Sequence, residues 1–436
     1  MRSSCWAGLV AFALACAWPA VASAGEYSTA PFNVTQHSYA FGQAPVFMPD
    51  GKHVLFGKNF REGDGMQVYR TRFDGSQLRC LTCDGPGPND VNNVPVPRPQ
   101  GDWVLYHSWR GHNIVIGSPG YGGMGTSLWV MRPDGSQQTK ITETDTDHGA
   151  GEGEDDYHAY WSPDGKHVVY AHLNWNLVND GGEGRWDIRV ADFVDDEKGP
   201  RLVNERVVRP ANGHWYETQW WAPDGSGFLY TETSGSAVDP ELFFCRLTAN
   251  GCDVKQLTDN SAWDEQAIFT PDMKDVIFMS SRDHPGFFNT YSHLARTAGL
   301  PTDFDYLLIL PIFELGFLQP VGQEATDLYD LNLETGAVRR LTTFGDDGGI
   351  VPEFTWDPKN EFLMWTENKF PDGYRYPFPP DPAGYLESAQ KALQNPPNPD
   401  PDITPNGVGV APLPIEQRTL IGRFDLRGRG GRTARR

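Results

Sequence analysis

The chain is poor in positive charge. Its 436 residues carry Lys+Arg 36 against Asp+Glu 57, a net charge of −21, and a surface of that sign does not neutralise phosphates, so nucleic acid is excluded as a partner. Long apolar runs are missing as well: past the N-terminus no stretch reaches the about 18 apolar residues a transmembrane helix needs. There is no GxSxG elbow, HExxH pair, Walker loop or GxGxxG after a strand, which removes the enzyme classes built on those motifs. What abounds is turn chemistry. Gly 47 and Pro 35, with 12% aromatic residues, describe many short strands around a large core rather than a disordered chain.

The N-terminus reads as an export signal over residues 1–24. Arg2 supplies the charge, Cys5–Trp18 the apolar segment, and Ala22-Ser23-Ala24 the small-residue cleavage pattern before Gly25. Lipoprotein processing at Cys16 is the alternative, with Leu14 one position off the usual lipobox. Removing the signal takes Cys5 and Cys16 and leaves Cys80, Cys83, Cys245 and Cys252. Cys245 and Cys252 flank a hairpin composition, and Cys80-Leu-Thr-Cys83 has no second ligand pair for zinc nearby. Two local disulfides in the periplasm or outside the cell are therefore expected.

One phrase recurs six times: FMPDGKHVLFG, PRPQGDWVLYH, WSPDGKHVVYA, WAPDGSGFLYT, FTPDMKDVIFM and WDPKNEFLMWT. Its prolines are Pro49, Pro99, Pro163, Pro223, Pro271 and Pro358, at intervals of 50, 64, 60, 48 and 87. A blade of four short strands takes about 40–50 residues, so each interval holds one blade plus insertions. Phrases such as LWVMRPDGSQQTKIT supply the third and fourth strands. The pattern resembles the TolB-like, WD-like propeller repeat over roughly residues 40–370, without the TolB N-terminal domain. The expected fold is all-β, a six-bladed propeller of four-stranded antiparallel blades. It occupies 25–427 as a single domain, with insertions at about 284–323 and 369–417 and a basic tail at 428–436. The N-terminal strand, Pro31–His37, is expected to complete the last blade, which removes an exposed edge.

The Pro-Asp-Gly and Asp-Gly-Ser turns mark one plain face, and every long loop falls on the other, where function concentrates. Residues just before each first strand and just after each second strand should ring the channel mouth there. Glu217, Glu265, His158, His172 and Arg282 are the acid–base candidates, because paired carboxylates and imidazoles can hold and move protons. Trp109, Arg110, Trp175, Trp215, Glu353 and Glu367 are the ligand-binding candidates. For a cation, calcium or another divalent metal, Asp264, His214 and Asp155 are the candidate ligands, and the loop Glu143–Asp156 packs seven carboxylates among glycines. The acidic loop lacks the EF-hand spacing. The apolar phrase Tyr306–Leu318 reads as a cap on the disc.

These features point to a monomeric exported propeller that binds a protein or glycan over its long-loop face. The alternative is a carbohydrate-active enzyme, lyase or hydrolase, by analogy of fold with the oligogalacturonate lyases. Against a lyase, the mouth offers few basic residues to offset an acidic polymer.

Overall fold

The computed structural model describes residues 33–58, 66–84, 91–108, 110, 126–144, 152–176, 185–233, 240–284, 325–350, 353–369 and 416–423. They form six antiparallel sheets. Strand β1 is Asn33–Gln36. The first blade is β2 (Gln43–Phe47), β3 (His53–Lys58), β4 (Gln67–Arg72) and β5 (Arg79–Cys80). The second is β6 (Asn92–Pro97), β7 (Val104–Ser108), β8 (Ser127–Met131) and β9 (Thr139–Lys140). The third, with the longest strands, is β10 (Glu152–Trp161), β11 (His167–Asn176), β12 (Arg185–Asp196) and β13 (Gly199–Arg209). The fourth is β14 (Tyr216–Trp221), β15 (Gly227–Thr233), β16 (Pro240–Thr248) and β17 (Gly251–Gln256). The fifth is β18 (Asp264–Phe269), β19 (Asp275–Ser280), β20 (Asp327–Asn332) and β21 (Val338–Arg340). In the sixth, β22 (Gly349–Ile350) and β23 (Phe354–Trp356) both pair with β24 (Phe362–Lys369), which pairs with β25 (Glu416–Arg423).

Strand β1 pairs antiparallel with β25, Asn33 opposite Arg423 and Gln36 opposite Leu420. The sixth blade thus contains strands from both parts of the chain. Within the two insertions, residues 285–324 and 370–415 lie outside the described residues, the 306–318 phrase among them, and no helix among the described residues is long and apolar enough to cross a membrane.

The repeat phrase is a turn with its own side-chain bonding. Asp50 Oδ1 accepts from the amides of Lys52 and His53, at 2.8 and 3.0 Å, and Asp224 Oδ1 accepts from Ser226 N, as turn aspartates do. Gly225 adopts φ 72, a left-handed conformation that glycine takes without strain. The aromatic residue before the turn locks blade to blade. Trp161 Nε1 donates to Val96 O, Trp221 Nε1 to Tyr160 O and Trp356 Nε1 to Phe269 O, so Trp221 belongs to the inter-blade core as its repeat position implies. Both disulfides form, Cys80–Cys83 and Cys245–Cys252, the second joining residues on β16 and β17.

One irregularity repeats in the innermost strands. The ladder slips between Gln43 and Val46, Asn93 and Val96, Tyr157 and Tyr160, Thr218 and Trp221, and Glu265 and Ala267. Ala44, Val94, His158 and Gln266 sit at these slips with φ between 47 and 48. A bulge re-aims side chains that a regular strand would send to opposite faces.

Candidate functional site

The bulges gather a polar centre on the channel. His158 Nδ1 lies 3.0 Å from Glu217 Oε1 without the alignment of a hydrogen bond, so this buried nitrogen has no hydrogen-bond partner. Glu217 shares a side-chain hydrogen bond with Glu265. Two carboxyl groups that close bridge only when one keeps its proton. Gln219 Nε2 and Gln266 Nε2 each donate to Glu217 Oε1 at 3.0 Å, and Trp263 Nε1 donates to Glu265 Oε2 at 2.6 Å. Glu353 feels the charges of His158, Glu217 and Glu265. His107 stands behind His158 with ring centroids 5.6 Å apart, and its buried Nε2 is also without a partner. Glu353 and Gln266 share a cavity with Pro45, Val46, Pro95, Val96, Tyr160, Trp220 and Phe354.

Burial dominates the electrostatics here, because the charged form of each group loses water. It pushes Glu217 up to about 8 and Glu353 up to about 7. Glu265 is raised well above the carboxylate range by burial and then by the charge of Glu217. Burial lowers His158 against the pull of Glu353 and Glu265, and lowers His107 further, with His158 adding to it. Among the described residues no Lys or Arg side chain bonds to Glu217, Glu265 or Glu353. The centre is therefore two neutral imidazoles facing carboxyl groups.

The other candidates are placed elsewhere, each bound to its own partner. His172 Nδ1 is 2.8 Å from Asp156 Oδ1, both buried. Arg282 NH2 bonds Asp264 Oδ2 at 2.8 Å, and Asn260 Nδ2 reaches the same oxygen at 2.6 Å. Glu367 is taken by Arg418, with NH2 to Oε1 at 2.8 Å. His214 Nδ1 is 3.0 Å from Glu232 Oε1, which Arg209 also holds. Asp155 Oδ1 accepts from the amide of Thr126 at 2.8 Å.

Asp264, His214 and Asp155 thus lie apart, on β18, just before β14 and on β10, each with its own partner. Nor is the acidic segment all loop, since Glu152–Asp156 belong to β10; residues 145–151 lie outside the described residues. Arg110 caps the ring of Trp129 at 4.8 Å, and Trp215 packs partly buried against the core. Trp109 lies outside the described residues, as does the side chain of Trp175 on β11.

A second cluster, His284, Asp327 and Asp346, brings three ligand-type atoms together. Arg340 fills it, with NH2 2.5 Å from Asp327 Oδ2 and 2.6 Å from Asp346 Oδ1. The chain supplies its own cation there.

His107, Gln219, Trp263 and Gln266 were not anticipated. His107 carried a signal: eight positions past the repeat proline it stands where the other repeats have Gly57, Ala171, Thr231, Met279 and Thr366. Gln266 occupies the repeat position of His158 and Glu353.

No protein-family model matches the sequence, and no curated protein matches it. Solved structures with similar architecture include TolB from Acinetobacter baumannii, 13% identical over 73% of this chain and 60% of that one, TM-score 0.43. A putative TolB from Agrobacterium tumefaciens is 17% identical over 73% of this chain and 86% of that one, TM-score 0.44. An oligogalacturonate lyase in complex with manganese is 12% identical over 90% and 91%, TM-score 0.43. This chain spans 60% of the Acinetobacter protein's length, and the six blades rest on the strand pairing itself.

Proposed function

We propose that this is an exported, monomeric ligand-binding propeller, taking a glycan or protein ligand on the long-loop face with the ligand's polar end held at the channel centre. One observation carries the reading: the centre keeps buried polar atoms, His107 Nε2, His158 Nδ1 and Gln219 Oε1, without hydrogen-bond partners. Each such atom costs about 1–3 kcal/mol, and apolar residues would fill a purely structural channel without that cost. The leader sequence and the two disulfides support export.

The enzymatic reading draws on the raised carboxyl pKa values, which suit a general acid at neutral pH. Against a two-carboxylate glycosidase, Glu217 and Glu265 are hydrogen-bonded to each other, whereas that chemistry needs carboxyls about 5–9.5 Å apart. Against a uronate lyase, Arg282 is half-buried and already paired with Asp264.

The test is a screen of immobilised neutral glycans, acidic glycans and peptides with wild type and the Glu217→Gln, Glu265→Gln double variant. Retention by wild type and at least ~10-fold weaker retention by the variant are expected, about the 1.4 kcal/mol of one or two lost contacts. New reducing ends or unsaturated sugars, made by wild type and not by the variant, would replace binding with catalysis. Equal retention by both proteins would move the ligand away from this centre.

A further inference from the structure

We infer that the axial cavity of the ring is an ammonium pocket, which takes a lysine side chain presented by a protein partner, with the Glu353 carboxylate as counter-charge and the rings of Tyr160 and Trp220 as its wall. This rests on the reading of the channel centre as a ligand site and names the group that enters it. All six blades line the cavity. Pro45 comes from the first, Pro95 from the second, Tyr160, Trp220 and Gln266 from the next three, and Glu353 from the sixth, just before β23. Apart from the heteroatoms of the two rings, the polar side chains in this lining are Glu353 and Gln266.

Both are acceptors without a donor. Gln266 is 8% exposed, and its Nε2 is committed to Glu217 Oε1 at 3.0 Å. Its Oε1 therefore lines the cavity with no partner among the described residues. The Glu353 carboxyl likewise makes no hydrogen bond or ion pair with a described residue. Buried acceptors are ordinarily satisfied. Elsewhere in the described residues buried carboxylates are answered by the chain's own cations, Arg340 on Asp327, Arg209 on Glu232 and Arg282 on Asp264. At Glu353 none is.

The wall selects the kind of cation. The rings of Tyr160 and Trp220 stand 4.9 Å apart between centroids, tilted by 52°, and aromatic faces attract a positive head that has left water. A lysine ammonium brings three N–H donors and no acceptor, which matches a lining that offers acceptors. Its four-carbon stem is apolar and suits the prolines and valines that make up most of the remaining lining. A cation beside Glu353 also opposes the burial that pushes this carboxyl up to about 7. The net charge of −21 draws a basic partner toward the ring from a distance.

The experiment uses the full chain and two blocked, fluorescent peptides read by anisotropy. One carries a single lysine among glycines, and the other carries Nε-acetyl-lysine there, which keeps the stem and removes the charge. Wild type should bind the lysine peptide at least ~10-fold more tightly than the acetylated one. Glu353→Gln should weaken the lysine peptide by a similar ~10-fold, as the loss of a bond to a charged group does. Glu334→Gln removes an equal charge from the exposed turn between β20 and β21 and should leave binding unchanged.

Equal affinity for the two peptides, or none for either, would overturn the assignment. So would full binding by Glu353→Gln, or a matching loss in Glu334→Gln. The comparison of the two peptides needs wild type alone, so a variant that fails to fold does not decide the matter. The two readings fail separately. A glycan retained through Glu217 and Glu265, with no preference for the lysine peptide, sinks the ammonium alone. A lysine peptide held through its charge, yet released neither by Glu353→Gln nor by the Glu217, Glu265 double variant, sinks the channel centre as the place of binding and this inference with it.

Discussion

At the scale of single residues, the positions nine past the repeat proline behave differently from those beside the channel. His172, Glu232, Ser280 and Glu367 each bond to a neighbouring strand or loop. Alternate residues of a strand point to opposite faces, so the ninth position faces its partners while the eighth, His107, joins the channel. Glu217, Glu265, His158 and Glu353 were legible because they share repeat positions. His172 and Glu367 stand at the ninth position, a one-residue difference in phase from the eighth that spacing alone does not reveal.

The His172–Asp156 pair makes a prediction about pH. Burial by itself lowers the His172 pKa, but the hydrogen bond to Asp156 and its charge outweigh that and raise it. The folded value therefore lies above the unfolded one of about 6.5. Its contribution to stability is complete below about pH 6.5 and is lost as pH rises through the folded value. His172→Asn should remove this share of the slope, measured as the difference in denaturation midpoint between pH 6 and the alkaline side. A slope identical in variant and wild type would show that His172 is uncharged in the fold.

At the scale of elements, turns and bulges divide the work. The turns were readable because aspartate and glycine at fixed offsets have only a few uses. The bulges were not, since Ala44, Val94, His158 and Gln266 adopt φ near 47 with no residue type in common. The turn glycines offer a graded test. A Cβ on Gly225 meets nothing within 4 Å, so Gly225→Ala costs only the left-handed conformation, about 1–2 kcal/mol. A Cβ on Gly135 would stand 2.7 Å from Leu81 O, a backbone atom, so Gly135→Ala should cost a further ~1–3 kcal/mol of overpacking. Urea midpoints at equal slope would check the order, and equal losses would mean that the second blade yields freely.

At the scale of the molecule, six repeats sufficed to read six blades, because each phrase carries the same turn and the same inter-blade tryptophan or its substitute. What spacing left open was the sixth inner strand, where β22 and β23 each pair with β24. Glu353 stands just before β23, outside the ladder, and lines the channel cavity. The pairing of β1 with β25 invites a truncation. A chain beginning at residue 39 leaves β25 as an open edge and loses four paired residues, about 2–6 kcal/mol at ~0.5–1.5 kcal/mol per hydrogen bond. It should unfold earlier and associate, as seen by light scattering. An unchanged midpoint in a monodisperse sample would show that the ring does not depend on β1.

The same seam sets a timetable. Phe41 N is bonded to Thr419 Oγ1, 378 residues along the chain. At ~5–20 residues per second, the partner of the first strand is made roughly 20–80 s after it. Through that interval the opening strand has nothing to pair with, while the blades between can each form from residues close in sequence. On this order of synthesis the pairing of β1 with β25 is the last to form.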